Sequence, residues 1–248
     1  MTHAQRPHQE HARTYSSEEA TTESYKVAVI GGTGDEGYGL ALRWARHGHH
    51  IYIGSRNLER AQTAAKAIRE SVGGQADVSG LTNLDAVSKA DVVVVTVPFS
   101  GLAETLRTIK PSFRQGQIVV NVTVPLETSV GGKATRTLSL WTGSAGEFAA
   151  TLLPRGVKVV SAFNNVSAEV LGDSSKRVDC DILVCGDDED AKRIVFGMVQ
   201  ALPGARAIDA GRLDNSRTIE QITALLVSLN IRYGTKSAGI RITGIATG

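Results

Sequence analysis

The chain has 248 residues, of which 42% are hydrophobic, and its 27 Lys and Arg against 25 Asp and Glu leave a formal charge of +2. That length suits one large α/β domain, or a large and a small one. Balanced charge and an aromatic content of 5% argue against nucleic acid as a partner. The longest apolar run, VVVVTV at 92–97, is strand-sized and far short of the ~20 residues of a membrane span. A soluble, cytoplasmic protein without a membrane partner is therefore expected.

Residues 1–24 are polar and without periodicity, and they hold no apolar stretch of the signal-peptide kind. They read as a disordered extension. From Tyr25 onward short β-branched runs alternate with helical segments. YKVAVI reads as a buried strand, YGLALRWARHG as a helix ended by Gly48, HIYIGS as a second strand and LERAQTAAKAIRESVGG as a second helix. DVVVVTVP, a helix over 101–109 and the strand QIVVNVTV continue the pattern. Strand and helix in alternation predict an α/β fold, a Rossmann-type doubly wound parallel sheet. After Pro125 the rhythm breaks into a long Gly-, Ser- and Thr-rich connection, the kind that is usually functional or mobile. GVKVVSAF restores a strand, and DILVCGDDEDAKRIVFGMVQALPGARAIDAG is one more strand–helix–strand unit. A final helix follows Asp214, Asn215 and Ser216, any of which is able to cap it. Its apolar positions Ile219, Ile222, Leu225, Leu226 and Leu229 suit core packing or a dimer interface.

All six histidines lie at or before position 50, and the two cysteines, Cys180 and Cys185, fall in or near one strand. No metal set, disulfide framework or histidine relay is expected in the rest of the chain.

Gly32, Gly34 and Gly37 in GGTGDEGYG match G-x-G-x-x-G. Alone that spacing is weak, but here it follows a strand, opens a helix and begins a strand–helix–strand unit, the context of a dinucleotide site. Phosphate in such a loop meets unpaired N–H groups and the positive end of the helix dipole. At the end of the second strand, where NAD enzymes place an acid on the ribose 2′-hydroxyl, stand Gly54, Ser55 and Arg56, with Arg60 one turn on. A guanidinium fork there suits a phosphate monoester, so NADP(H) is expected over NAD(H). Asp35 and Glu36 lie inside this cradle, where carboxylates are favoured by the helix dipole by about 0.3–1 kcal/mol. N–H groups, rather than side chains, would bind the phosphate, so both acids are expected to point away from it.

The segments at the carboxyl ends of the later strands, TVPFSG, NVTVP and SAFNNVSAEVL, contain one titratable side chain, Glu169. So few acids and bases suit hydride exchange between two ready-made cofactors, in which binding and orientation do the catalysis. A carbonyl or imine reductase using Glu169 or a water is the alternative.

VAVIGGTGDEGYGLALRWARHGHHIYIGSR, VNVTVPL, SAFNNVSAEVL, DILVCGDDEDAK and DAGRLDNSR together resemble the F420-dependent NADP oxidoreductases, in order from about residue 25 to near residue 241. The resemblance implies reversible, direct hydride transfer between the deazaflavin F420 and NADP with no catalytic side chain. It also implies a Rossmann domain over 25–165, a small C-terminal α/β domain over 166–248 and a homodimer. By the same resemblance Gly32, Thr33, Gly34, Asp35, Glu36 and Gly37 surround the pyrophosphate, largely through backbone, and Ser55, Arg56 and Arg60 hold the 2′-phosphate. Val97, Pro98, Gly101, Val124 and Ala168 line the NADP path, while Asn164, Val166 and Ala238 take the F420 ring. The acids Asp35 and Glu36 would then face solvent or the deazaflavin. Lys133, Arg136, Arg232, Lys236 and Arg241 are candidates for the anionic F420 tail. Some members have a histidine and a proline in the segment that reads FNNVSA here. Two other readings stay open at this point: an NADPH-dependent flavin or ferric reductase, because cytosolic metalloreductase domains share a similar core and an FN segment, and a non-catalytic NADPH-binding redox sensor.

Overall fold

The computed structural model describes residues 23–245. The expected N-terminal extension therefore lies outside the described residues except for Glu23 and Ser24, where Ser24 Oγ donates to Gly48 O at 2.7 Å.

Strand β1 (Lys26–Ile30) is apolar at four consecutive positions, and Val27 to Ile30 are all fully buried. A strand with no polar face must be covered on both sides, which is the environment of a parallel sheet between two helical layers. The chain alternates accordingly: α1 (Asp35–Arg46), β2 (His50–Ser55), α2 (Leu58–Val72), β3 (Val78–Thr82), α3 (Asn83–Lys89), β4 (Val92–Val95) and α4 (Phe99–Ile109). Then follow β5 (Ile118–Asn121), α5 (Ala145–Leu152), β6 (Lys158–Ser161), α6 (Ala168–Gly172), β7 (Asp181–Gly186), α7 (Glu189–Val199), β8 (Arg206–Asp209) and α8 (Ser216–Tyr233). The eight strands form one sheet in the order β3-β2-β1-β4-β5-β6-β7-β8. Alternate strand residues feed two cores. Val27, Val29, Ile51 and Ile53 pack with Leu40 and Trp44 of α1 and Ile68 of α2, whereas Ala28, Ile30, Val93 and Val95 pack with Leu102 and Leu106 of α4.

All pairings are parallel except β6 with β7. The sheet thus continues unbroken into the C-terminal part, but β7 runs the other way. Its amino end, at Asp181, comes to the edge where β1, β2, β4, β5 and β6 end. There Asn165 Nδ2 donates to Asp181 O at 2.7 Å, and Asp181 N donates to Ile240 O at 2.8 Å. The C-terminal tail is strapped to the same edge by Asp181, whose fully buried carboxylate receives Arg206 Nε at 2.6 Å and Arg241 Nη1 at 2.9 Å.

Helix α1 begins at Asp35, three residues before the apolar periodicity, so the glycine loop itself supplies its first turn. Gly48, at φ 93, follows its end in the left-handed region, as expected. Helix α8 follows a 3-10 turn over Leu213–Asn215, and no side chain caps it. Ser216 Oγ instead donates to Leu213 O at 2.6 Å and Asn215 Nδ2 to Ala210 O at 2.6 Å. The apolar positions of α8 divide: Ile219 and Leu226 are buried, and Leu225 is 56% exposed.

Helices α1 and α6 approach closely. A Cβ on Gly39 would lie 2.6 Å from Leu171 Cβ and 2.9 Å from Gly172 N, so this contact requires glycine. Beside it Arg43, 2% exposed, donates from Nε to Leu171 O at 3.0 Å. Its Nη2 reaches the carbonyls of Val170, Asp173 and Lys176 at 2.6, 2.8 and 3.0 Å. The guanidinium thus satisfies the Val170 and Leu171 carbonyls, which a five-residue helix cannot pair internally, and reaches two more in the chain after it. Burial lowers the Arg43 pKa from its ordinary value, and the charge persists because guanidinium is so weakly acidic. Arg43→Ala should destabilise the protein by about 3 kcal/mol or more in urea unfolding, since several buried acceptors lose a charged donor. Arg43→Lys should recover only part of that, and an unchanged midpoint for either would refute this role.

Candidate active site

The parallel strands deliver their carboxyl ends to one edge, and the crevice of a doubly wound sheet opens there, where the order reverses between β1 and β4. Gly32, Thr33 and Gly34 turn out of β1 into α1, with Gly34 as N-cap and no side chain capping the helix. The first-turn N–H groups therefore point outward without side-chain partners, a ready anion site. Gly37 lies beneath. A Cβ there would sit 2.5 Å from Thr96 Oγ1 and 2.9 Å from Gly31 O, so the third glycine is what lets α1 press onto the β1 and β4 ends.

At the end of β2, Ser55 Oγ accepts from Asn57 N at 3.1 Å, and the Asn57 side chain caps α2 by accepting from Arg60 N at 3.0 Å. That cap sets Arg56 before the helix and Arg60 in its first turn, both exposed. Among the described residues neither guanidinium has an ion-pair or hydrogen-bond partner. Both guanidiniums are open to solvent and able to meet a phosphate monoester, so these residues fit NADP(H). Val97 and Pro98 follow β4, Gly101 lies in the first turn of α4 and Val124 follows β5. Thr123 Oγ1 donates to Val97 O at 2.9 Å and so joins the β4 and β5 ends.

A cavity of about 580 Å³ opens beside this crevice. Its apolar wall comes from Val166, Ala168, Leu226, Val227 and Ala238, and Asp35, Asn164, Glu169, Thr223, Asn230 and Lys236 add polar groups. It suits a flat, largely apolar ring with polar edges. Asn164, Val166 and Ala238, expected for the deazaflavin, therefore come together, with Ala168 and Asp35 from the nucleotide set beside them.

The floor is held in a strained shape. Phe163 has φ 62, a left-handed conformation costing about 1–2 kcal/mol. Its buried ring stands edge-on to Trp44 with centroids 5.6 Å apart. The turn places Asn164 so that Nδ2 donates to Val122 O at 3.0 Å and Oδ1 accepts from Ser161 Oγ at 3.1 Å, while Thr223 Oγ1 donates to Asn164 O at 2.9 Å. Over the rim runs the tail. Ser167 Oγ donates to Lys236 O at 2.6 Å, Ala238 N to Asn230 Oδ1 at 2.9 Å, and Lys236 Nζ lies 3.3 Å from Glu169.

The sequence reading missed Gly39, Arg43, Thr223 and Asn230, because their roles depend on which helix packs where. Of the two cradle acids, Asp35 is exposed and faces the cavity, as expected. Glu36 departs from expectation. It is partly buried, and burial alone raises its carboxyl to about 8. Of the cations proposed for the tail, Arg241 is already engaged by Asp179 and Asp181, whereas Lys133, Arg136 and Arg232 are exposed.

The fold and this paired arrangement define an oxidoreductase of the Rossmann type, with a cavity beside the crevice at its strand ends. A family profile described as NADP oxidoreductase, coenzyme F420-dependent, matches residues 26–125. The F420-dependent NADP reductase of Methanocaldococcus jannaschii is 48% identical over 223 residues, covering 89% of this chain and 99% of that protein. The chain belongs to the F420-dependent NADP reductase family. The protein of the same name from Methanothermobacter thermautotrophicus is 47% identical over 223 residues, 89% of this chain and 95% of its own length. A solved structure from Arthrobacter sp. FB24, described as a candidate F420-dependent NADP-reductase, superposes with a TM-score of 0.71 at 25% identity, covering 89% of this chain and all of that one. More distantly, the rat metalloreductase STEAP3 is 29% identical over 84% of this chain, which spans only 38% of that protein.

Gly37→Ala should weaken NADPH binding by about 100-fold or more, since the added methyl meets backbone on one side and must displace α1. Titration of NADPH fluorescence measures this, and near-normal binding would show that the cradle tolerates the shift.

Proposed function

We propose that this chain transfers a hydride reversibly between coenzyme F420 and NADP, with the nicotinamide in the crevice and the deazaflavin in the adjoining cavity. The observation that carries this reading is the cavity itself, whose lining shares Asp35 and Ala168 with the expected nucleotide set. The two cofactors supply the hydride donor and acceptor carbons, and the protein's own contribution is binding, alignment and exclusion of water. Backbone N–H groups from Thr33 to Gly37 hold the pyrophosphate. Ser55, Arg56 and Arg60 hold the 2′-phosphate. Val97, Pro98, Gly101, Val124 and Ala168 guide the nicotinamide, and Asn164, Val166 and Ala238 border the deazaflavin. Lys236, on the rim, is placed to leave Glu169 for the anionic F420 tail. The acidic Asp35 on the inner side favours a pose with that tail directed outward.

This reading includes a division of labour between residues 25–165, which carry the nucleotide, and 166–248, which carry the deazaflavin wall and the dimer contacts. Leu225, Ile231 and Tyr233 of α8 are 56%, 70% and 72% exposed, apolar groups that a second copy would cover. A cytoplasmic location accords with two buried free thiols.

Mixing the protein with NADPH and F420 and following loss of oxidised deazaflavin absorbance tests the reaction. Turnover with FMN but none with F420 would replace it by the flavin or ferric reductase reading, and tight NADPH binding without turnover on either by the sensor. Arg56→Ala should raise KM for NADPH by about 10–100-fold, the loss of a charged hydrogen bond worth ~1.5–3 kcal/mol, with little change for NADH. Equal effects on both would remove Arg56 from the 2′-phosphate. The Ile231→Asp variant should sediment as a monomer where the wild type sediments as a dimer, and a dimeric variant would move the interface elsewhere.

A further inference from the structure

Helix α8 supplies three parts of the cavity. Thr223 Oγ1 donates to Asn164 O at 2.9 Å on the floor, Leu226 and Val227 belong to the wall, and Asn230 Oδ1 accepts from Ala238 N of the tail at 2.9 Å. The outward side of α8 is bare at Leu225 and Ile231, and among the helices and strands α5 is its main packing partner. The two helices are pressed together where α5 starts, since a Cβ on Gly146 would lie 3.0 Å from Ser216 Oγ. At that point Glu220, 2% exposed, reaches from α8 to α5. Its Oε2 accepts from Ala145 N at 3.0 Å and its Oε1 from Gly146 N at 3.1 Å.

Each carboxylate oxygen thus takes one N–H of the first turn of α5, groups that no helical carbonyl can pair. The helix dipole favours the negative charge there, and such charge-assisted bonds are stronger than neutral ones. A two-pronged contact fixes both the position and the rotation of α8 on α5, which a single bond would not do. A neutral isostere cannot replace it, because a Gln amide has one acceptor oxygen and its NH2 group would face a second donor. Burial pushes the Glu220 carboxyl up to about 7 against the pull of the two N–H groups, so at pH 8 the ionised form prevails. Glu220 does not line the cavity beside the crevice; its helix begins to do so one turn later, at Thr223.

We propose that Glu220 is a positioning residue for the second cofactor: its carboxylate, forked across the Ala145 and Gly146 amides, sets α8 and, through Thr223, the Asn164 floor on which the ring rests. This deepens the reading of the cavity as the deazaflavin site, on which it rests, by naming what holds its α8 wall in place. The glycine loop at α1 and the arginines at α2 lie on other elements, so NADP(H) binding is independent of Glu220.

Separate dissociation constants for NADPH and for F420, each measured by its own fluorescence at pH 8, test this. In Glu220→Gln the constant for F420 should rise about 10–100-fold, the loss of a charged hydrogen bond, while that for NADPH stays within about threefold. Glu220→Asp keeps the charge on a shorter arm and should show the same split to a smaller degree, and it carries the test if Glu220→Gln does not fold. Glu147→Ala removes a different carboxylate from the start of α5 and leaves the fork intact, so its F420 constant should stay within about threefold of the wild type. An unchanged F420 constant in both Glu220 variants would overturn the proposal, as would an equal loss for both cofactors or an equal rise in Glu147→Ala, either of which marks a general loosening. A wild type that binds NADPH but neither binds nor reduces F420 would instead overturn the deazaflavin reading, and this proposal with it.

Discussion

The Arg43 guanidinium is the interaction on which the two halves of the site depend. It projects from α1, the helix that opens out of the glycine loop, and gathers four carbonyls from α6 and the chain after it. Helix α6 has only five residues, too few to be stable by its own hydrogen bonds. Its position is set from outside, by Arg43 at its carboxyl end, by Gly39 against Leu171 and by the Ser167 side chain, which accepts from Val170 N at 3.3 Å. Ala168 and Glu169 on that helix line the cavity beside the crevice. A single buried cation therefore sets the spacing between the cavity wall and the glycine loop. Hydride transfer depends steeply on that spacing, because a near-attack separation is about 3–3.5 Å.

Reversal of β7 solves a related problem. If it ran parallel to β6, its amino end and the tail paired with it would lie at the far edge of the sheet. Running antiparallel, it brings Asp181 to the edge where the parallel strands end, where Arg206 and Arg241 neutralise the buried carboxylate and Ile242 N donates to it at 2.6 Å. The strap from Gly234 to Ile240 is thereby fastened at both ends of its crossing over the cavity. Burial cost is met by two guanidiniums and a backbone N–H, which pull the Asp181 pKa below the ordinary carboxylate range against the opposing effect of desolvation.

Most of the sheet was legible in the sequence, because β1, β4, β5 and β7 are unbroken apolar runs that admit little else. Strand β3 was not. Its sequence, VSGLT, is half-buried at the sheet edge and carries Gly80, where a Cβ would lie 2.3 Å from Gln62 N on α2. That packing need has no signature in local pattern. Helix α5 was hidden behind the polar connection, although Ser144 and Glu147 stand at S-x-x-E spacing. The Glu147 N–H bonds to Ser144 Oγ at 3.0 Å and the Ser144 hydroxyl to Glu147 Oε2 at 2.8 Å, a signal of a helix start that was there to be read. The direction of β7 leaves no trace in hydrophobic periodicity at all. Within the site, the glycine loop and the two arginines were readable because their chemistry is local to one strand end. The cavity was readable only through resemblance, since its walls come from α1, α6, α8 and the tail, which are distant in sequence.

The same distinction explains the two acids in the cradle. A carboxylate at a helix N-terminus is locally favourable, and that local rule holds for Asp35, which keeps its solvent. Glu36 obeys a tertiary constraint instead. It is partly buried, and there the dipole's modest attraction for a negative charge is smaller than the cost of desolvating one. Adjacent residues of one chemical type thus differ in exposure because the helix turns them into different surroundings. The loop can carry acid beside its unpaired N–H groups because Asp35 opens onto the neighbouring cavity and burial raises the Glu36 carboxyl toward its neutral form.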